Sequence, residues 1–271
     1  MSKSHYRLGF IGAGKLAGSV IRGLLLKKFC APAEIIASEP DPDIRARLQT
    51  DLGISVTTEN TKVTKEAEII FLGVKPQVVL PVMRELGSEL SDKLVISFAA
   101  GVRIQSMEAI TGARVMRVMT NTPSALGRAA TAFAAGMRAT EQDRIAIKNM
   151  FSAIGTAVEV SDEQIDVVTA LAGGGPAFVY SIIAALATGA AREGLDAEAA
   201  LKLAAQTTLG AAELSLTSGR SPEELIKMVV TPGGTTAAGL RVMEERKTSQ
   251  AIAAAVQAAT RRGKEMAREN R

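Results

Sequence analysis

The sequence contains no tryptophan, two tyrosines, seven phenylalanines, one cysteine and one histidine among its 271 residues. Each shortage excludes some chemistry. A single cysteine, Cys30, cannot close an intramolecular disulfide, and Cys30 with His5 is too small a set for a Cys/His metal cluster, so no metal site is expected. A Ser-His-Asp triad would have to recruit His5, close to the start of the sequence. With aromatics at 3%, there is no interleaving of aromatic and basic residues of the kind that stacks bases, and no nucleic-acid partner is expected. The net charge of +4 does not change this, because basic residues are spread among acids. The one local basic cluster is Arg261, Arg262, Lys264, Arg268 and Arg271, in what reads as the last helix, where cations complement a helix C-terminus and face water. No charged-then-apolar leader precedes the first strand. The longest mostly apolar stretch, Phe178 to Ala191, is interrupted by Ser181, Thr188 and Gly189 and is too short to span a bilayer. A cytoplasmic protein without a membrane partner is expected.

What is present is a globular composition, 47% hydrophobic and 22% charged, in a chain long enough for two domains. Cores must come mainly from Ala, Leu, Ile and Val. From Leu8 to about residue 160, apolar runs of strand length alternate with helical periodicity. The strands read as Leu8–Ile11, Glu34–Ser38, Ile54–Val56, Ala67–Val74, Leu94–Phe98 and Arg114–Met119. Ala130–Ala135 and Ala157–Val160 are candidates at the far edge. Beyond Ser161 the alternation stops. Asp162 is placed to cap a helix to Leu171, Gly173-Gly174-Gly175-Pro176 to break it, and Ala177–Glu193 and Ala197–Thr217 to form long apolar helices. Ser221-Pro222-Glu223-Glu224 has the spacing of a capping box, a short helix covers Ala237–Glu244, and a final helix starts near Thr248. The fold class is therefore α/β: an N-terminal Rossmann-type doubly wound, mainly parallel sheet over residues 1–161, then an all-α domain over 162–271. Helices apolar on more than one face need burial that a domain of this size cannot supply alone, so the second domain is expected to mediate dimerisation.

In such sheets ligands lie outside the carboxyl ends of the strands. The turn after the first strand, Gly12-Ala13-Gly14-Lys15-Leu16-Ala17, has the pattern G-x-G-x-x-A between strand and helix. The first glycine permits the tight turn, the second removes a side chain where a pyrophosphate approaches, and Ala17 lets the helix pack close; the helix N-terminus offers free N–H groups. Glycine-rich turns without ligands also exist, but the βαβ setting favours dinucleotide binding. Turns after Ser38, Val74, Phe98 and Met119 are expected to face the same crevice. Glu39, 22 residues after Ala17, reads either as the acid that receives a ribose 2′-hydroxyl or as a surface loop carboxylate beside Asp41 and Asp43. Lys75-Pro76 places a cation at one strand end, and Asn121-Thr122-Pro123 is either a polar site element or a simple turn. In the second domain, Thr231-Pro232-Gly233-Gly234-Thr235-Thr236 can point N–H groups and hydroxyls at a small carboxylate, with the following helix adding its positive end; an interhelical turn reads equally well.

Together, Phe10-Ile11-Gly12-Ala13-Gly14, Val74-Lys75-Pro76, Ala99-Ala100-Gly101-Val102, Met116 to Pro123 and Pro232-Gly233-Gly234-Thr235-Thr236, continuing to Ala238-Gly239-Leu240, resemble pyrroline-5-carboxylate reductases over essentially the whole chain. The resemblance implies reduction of 1-pyrroline-5-carboxylate to L-proline with NADPH or NADH, and homodimers that assemble further into rings such as decamers. It implies that Gly12, Ala13, Gly14, Lys15, Leu16 and Ala17 hold the pyrophosphate, and that Asn60 contacts the adenosine ribose near Ser38 and Glu39. Val74, Lys75, Pro76 and Ala100 would line the nicotinamide side, near Asn121. Thr231, Gly233, Gly234, Thr235 and Thr236 would bind substrate, with Thr236 catalytic through a hydrogen bond to the ring nitrogen. Two departures are visible. Ala172-Gly173-Gly174-Gly175-Pro176-Ala177 stands where Ser-Gly-Ser-Gly-Pro-Ala is common, and Glu39 stands where members holding a 2′-phosphate usually have serine or another uncharged residue. The second bears on cofactor preference.

Two other classes compete. A β-hydroxyacid dehydrogenase shares the domain plan but needs a general base, normally a lysine on the first long helix of the second domain. No lysine occurs between Asn149 and Lys202. A non-enzymatic dinucleotide-sensing protein would leave the anion-binding segment of the second domain unexplained.

Overall fold

The computed structural model describes residues 5–269. Eight strands, β1 (Tyr6–Ile11), β2 (Ile35–Ser38), β3 (Ser55–Thr57), β4 (Ala67–Leu72), β5 (Leu94–Ser97), β6 (Arg114–Met119), β7 (Ala129–Ala135) and β8 (Gly155–Glu159), form one sheet in the order β3-β2-β1-β4-β5-β6-β7-β8. All neighbours pair in parallel except β6 with β7. The chain runs outward from β1 to β3, then returns to the other side of β1 to place β4. That reversal sets a crevice at the carboxyl ends of β1 and β4, where the sequence puts its glycine-rich turn.

Central strands are covered on both faces, which is why they read as continuous apolar runs. Leu8, Phe10, Phe71, Ile96 and Val118 pack on one face with α1 (Lys15–Leu26) and α6 (Glu141–Ala153); Ile11, Ile70, Leu72, Val95 and Met119 pack on the other with α4 (Pro76–Leu86) and α5 (Ile104–Glu108). The scarce aromatics are concentrated here. Phe10 stacks on Phe71 at 4.6 Å, Phe71 on Phe98 at 5.5 Å, and Phe98 meets Phe151 edge-on at 6.3 Å, a row from β1 across β4 to α6. The remaining helices of this part are α2 (Pro42–Leu52), α3 (Asn60–Glu66) and α7 (Ile165–Val168). The sequence reading passed over α3, α5 and α6. The first two are only one or two turns long, and α6 is polar on much of its surface, although Thr140 and Asp143 form a capping box at its start.

Three expectations about the region after Ser161 need correction. Asp162 does not cap a helix: its side chain accepts from Ile104 N–H at 3.2 Å and from Arg117 at 2.5 Å. The glycine run interrupts the helix at a single residue, Gly174, and not over four. A π turn at Thr169–Gly173 follows α7, and Gly174 keeps right-handed dihedrals, φ −83° and ψ −23°, before α8 (Gly175–Arg192). The helical run Ile165–Arg192 is therefore long and apolar enough by length and composition to cross a membrane, and Phe178–Ala191 understated it.

Contacts divide the chain into two compact units. One comprises the residues through Gly174 together with those from Ala258 onward, and the other is Gly175–Gln257. The second contains α8, α9 (Ala197–Thr217), α10 (Pro222–Val229), α11 (Thr235–Glu245) and the start of α12 (Thr248–Glu269), whose residues from Ala258 onward belong to the first. Asp196 caps α9 and Ser221 and Glu224 form the capping box of α10. Among the described residues, this unit buries only Ala187, Ala200 and Ala204 as an apolar cluster, while Tyr180, Leu201, Leu203, Leu209 and Leu216 are all more than half exposed. In the basic cluster, Arg262 pairs with Glu265 and Glu269 along α12, and Arg271 lies outside the described residues.

Lys247, between α11 and α12, adopts φ +54°, a left-handed conformation that costs a non-glycine residue about 1–2 kcal/mol. Lys247→Gly is expected to stabilise the protein by about 0.5–1 kcal/mol after glycine's own entropy cost, and Lys247→Val to destabilise it. Midpoints of urea unfolding followed by circular dichroism check both; equal midpoints for the two variants would contradict the strain.

Candidate active site

Within the first unit, the predicted cofactor residues converge on the carboxyl ends of β2, β1, β4 and β5, which are neighbours in the sheet. Gly12 has φ +80°, and a Cβ there would lie 2.7 Å from Val74 Cγ1 and 2.9 Å from Val74 N. Only glycine serves, and the turns after β1 and β4 touch as a result. Gly12 N–H donates to Ser38 O at 2.9 Å, which ties the turn to β2. Gly14 is the N-cap of α1 and offers no side-chain cap, so the first-turn N–H groups around Lys15, Leu16 and Ala17 lack a side-chain acceptor; a Cβ at Gly14 would meet nothing within 4 Å. That opening, with its free donors and the exposed Lys15, fits a pyrophosphate.

Glu39, the first residue after β2, is only 7% exposed and is not a solvated loop carboxylate. Its Oε2 accepts from Ala13 N–H in the glycine turn at 3.0 Å, and its Oε1 from Asp41 N–H at 3.2 Å. Ser38 Oγ donates to Asn60 Oδ1 at 2.7 Å, which brings those two predicted residues together beneath the same strand ends. Val74, Lys75 and Pro76 follow β4, with Lys75 exposed and Pro76 opening α4; Ala100 follows β5.

Asn121 is placed differently from the others. It is buried, its Nδ2 donates to Ala172 O at 3.2 Å in the π turn, and its Oδ1 accepts from Ala130 N–H at 3.1 Å. It fastens the π turn to the β6 end and to β7.

The sequence reading missed a buried charge cluster behind these strand ends. Arg117, 1% exposed, occupies an inward position on β6 and donates to Asp162 Oδ1 at 2.5 Å; Arg103, three residues after Ala100, donates to Asp166 Oδ2 at 2.5 Å. Asp166 is also 1% exposed, and its Oδ1 lies 3.8 Å from Arg117 Nη2. These four side chains tie the loop after β5, strand β6 and the start of α7 to one another. The signal available in the sequence was an arginine at an inward position of an otherwise apolar strand, Arg114-Val115-Met116-Arg117-Val118-Met119.

In the second unit, Gly233 takes φ +72° and Gly234 is the N-cap of α11, with Gly234 N–H donating to Thr231 O at 3.0 Å. The helix starts at Thr235, two residues earlier than expected, because Gly234 has the extended dihedrals of a cap. Thr235 and Thr236 are therefore its first two residues and exposed, as are Thr231 and Gly233. Their backbone N–H groups are among those a helix leaves unpaired at its start. The segment can thus present N–H donors, hydroxyls and a positive helix end to a small carboxylate.

The family model for pyrroline-5-carboxylate reductase dimerisation matches residues 162–266, and that for coenzyme F420-dependent NADP oxidoreductase matches residues 7–101. A pyrroline-5-carboxylate reductase of Methanosarcina acetivorans is 43% identical over 263 residues, 96% of this chain and 97% of that protein. One of Pisum sativum is 39% identical, with 96% of each covered. Among solved structures, a pyrroline-5-carboxylate reductase of Coxiella burnetii is 32% identical with a TM-score of 0.88, over 97% of this chain and 98% of that one. The Plasmodium falciparum pyrroline carboxylate reductase with NADP bound also has a TM-score of 0.88, at 26% identity over 97% and 99%.

Proposed function

The chain belongs to the pyrroline-5-carboxylate reductase family, and we propose on that premise that it reduces 1-pyrroline-5-carboxylate to L-proline, the last step of proline biosynthesis, with NADH or NADPH. The observation that carries the reading is the 43% identity along 96% of the chain, which takes in both units. The competing β-hydroxyacid dehydrogenase would need a lysine base, and α8 contains none.

Residues 1–161 serve as the dinucleotide-binding domain and 162–271 as the substrate-binding and dimerisation domain. Gly12 to Ala17 hold the pyrophosphate through first-turn N–H groups, with Ser38, Glu39 and Asn60 toward the adenosine ribose. Val74, Lys75, Pro76 and Ala100 line the nicotinamide side, with Asn121 supporting that side through the π turn. The cofactor, when bound, supplies the hydride that adds to the imine carbon. Gly233, Gly234 and the N–H groups of Thr235 and Thr236 receive the substrate carboxylate, and Thr231 braces the turn. Thr236 Oγ1 hydrogen-bonds the ring nitrogen and orients the ring. Its hydroxyl is too weak an acid to supply a free proton near neutral pH, so the ring enters as the protonated iminium. Addition of hydride to the carbon then moves the C=N π pair onto nitrogen and leaves a secondary amine, which takes a proton from water.

The protein acts as a homodimer, and decamers built from such dimers are the next level of assembly. The exposed Leu201, Leu203, Leu209 and Leu216 support this, since a second copy would cover them. Light scattering should give at least twice the chain mass at micromolar concentration; a well-folded, fully active monomer would overturn it. The working location is the cytoplasm, without nucleic acid or membrane. Asp166 supports the last point: it lies in the apolar run Ile165–Arg192 yet is buried against Arg103 and Arg117, which keeps that end of the run on the sheet.

A further inference from the structure

We infer that Glu39 makes this enzyme select NADH over NADPH. The inference rests on the reading of Gly12 to Ala17 as the pyrophosphate turn, and deepens it. In doubly wound dinucleotide sites, the side chain after β2 meets the 2′-position of the adenosine ribose. Glu39 is in that place and is held there from two sides, by Ala13 N–H at 3.0 Å and Asp41 N–H at 3.2 Å. A carboxylate has about four lone-pair sites. Two are used by those N–H groups, and the other two remain to accept hydroxyl hydrogens, which a free ribose has.

A 2′-phosphate brings close to two negative charges and acceptor oxygens, and Glu39 has no hydrogen to give it. An exposed loop carboxylate could swing aside. Glu39, 7% exposed and anchored to the glycine turn itself, cannot do so without breaking the turn's own hydrogen bond. The rest of the loop does not compensate. Asp41 and Asp43 add two more carboxylates, with Asp41 committed to the N–H groups of Asp43 and Ile44. The guanidinium of Arg45 is turned onto the carbonyls of Glu39 and Pro40, both at 2.7 Å. Ser38 spends its hydroxyl hydrogen on Asn60. The cations that remain nearby, Lys15, Arg22 and Arg47, line a cleft of about 270 Å³ between α1 and α2, and Arg22 there faces Asp51 at 3.8 Å.

Calorimetric titration of the full-length protein with NAD⁺ and with NADP⁺ tests this without any turnover. Wild type is expected to bind NAD⁺ at least tenfold more tightly. Glu39→Ser should move the ratio of the two affinities at least tenfold toward NADP⁺. Glu39→Gln keeps an oxygen for Ala13 N–H and removes the charge, so it should move the ratio in the same direction by less. If Glu39 were only a brace for the turn, Glu39→Gln would leave the ratio unchanged, and that result overturns the inference. So does a wild type that binds NADP⁺ as tightly as NAD⁺, or an Arg47→Ala substitution that abolishes a preference for NADP⁺. The reductase reading fails separately, if neither reduced cofactor supports proline formation whatever the binding ratio.

Discussion

Arg117→Leu is expected to cost about 3–5 kcal/mol of folding stability, the range for breaking a buried ion pair by removing one partner. Arg117 is the most enclosed cation of the cluster, at 1% exposure, and it faces two carboxylates, Asp162 at 2.5 Å and Asp166 at 3.8 Å. Without it, Arg103 alone must balance both, and Asp166, also 1% exposed, keeps a charge in a site sealed from water. Part of the native cluster is already imperfect: Arg117 Nε and Nη2 and Asp166 Oδ1 are buried without hydrogen-bond partners. The pair is therefore a costly way to join β6 to α7, and replacing both sides should cost less than the sum of the single changes. Arg117→Met with Asp166→Leu should recover at least 1 kcal/mol relative to additivity. With no tryptophan in the chain, urea unfolding followed by far-ultraviolet circular dichroism is the suitable measurement. If Arg117→Leu does not fold, Asp166→Asn, which keeps shape and removes one charge, gives the same sign. A midpoint unchanged by either substitution would show that the cluster contributes nothing.

Thr236→Val is expected to lower kcat by roughly 10–100-fold. The substitution keeps the side-chain shape and removes the hydroxyl that accepts from the iminium N–H, and losing a positioned hydrogen-bonding group at a reacting centre costs up to about 3–4 kcal/mol in strong cases, less for a neutral hydroxyl. Thr236 is the second residue of α11 and is exposed, so the loss should not affect folding. Affinity for the dinucleotide should be unchanged, because Gly12 to Ala17 lie in the other compact unit. A normal kcat would remove Thr236 from the chemistry and make Thr235, its neighbour in the same first turn, the residue to test.

The sheet was legible because its central strands are short apolar runs that end at turns with a chemical reason to exist. Gly12 cannot be another residue against Val74, and the alternation of strand and helix implies a mainly parallel sheet whose crevice lies at the strand ends, where that glycine is. The helices around Gly173 to Pro176 were misread for a specific reason. Glycine and proline break isolated helices, but here Asn121 Nδ2 donates to Ala172 O in the π turn and buried contacts hold the backbone in place, so tertiary bonds confine the break to Gly174. Asp162 was misread because its spacing fits an N-cap, while its actual partners, Arg117 and Ile104 N–H, are distant in sequence. The sequence admits two readings of Glu39 because side-chain direction after β2 decides between a solvated and an anchored carboxylate, and only the Ala13 N–H contact reveals that direction. The motif residues Thr231 to Thr236 were readable as a turn before a helix, but the start of α11 at Thr235 depends on the dihedrals of Gly234.

The central claim is tested most directly by supplying the purified full-length protein with 1-pyrroline-5-carboxylate and either NADH or NADPH, then measuring cofactor oxidation and proline together. One proline formed for each reduced cofactor consumed, with wild type active and Thr236→Val strongly slowed, is the predicted result. No cofactor oxidation with this imine, alongside NAD⁺-dependent oxidation of a β-hydroxyacid, would contradict it.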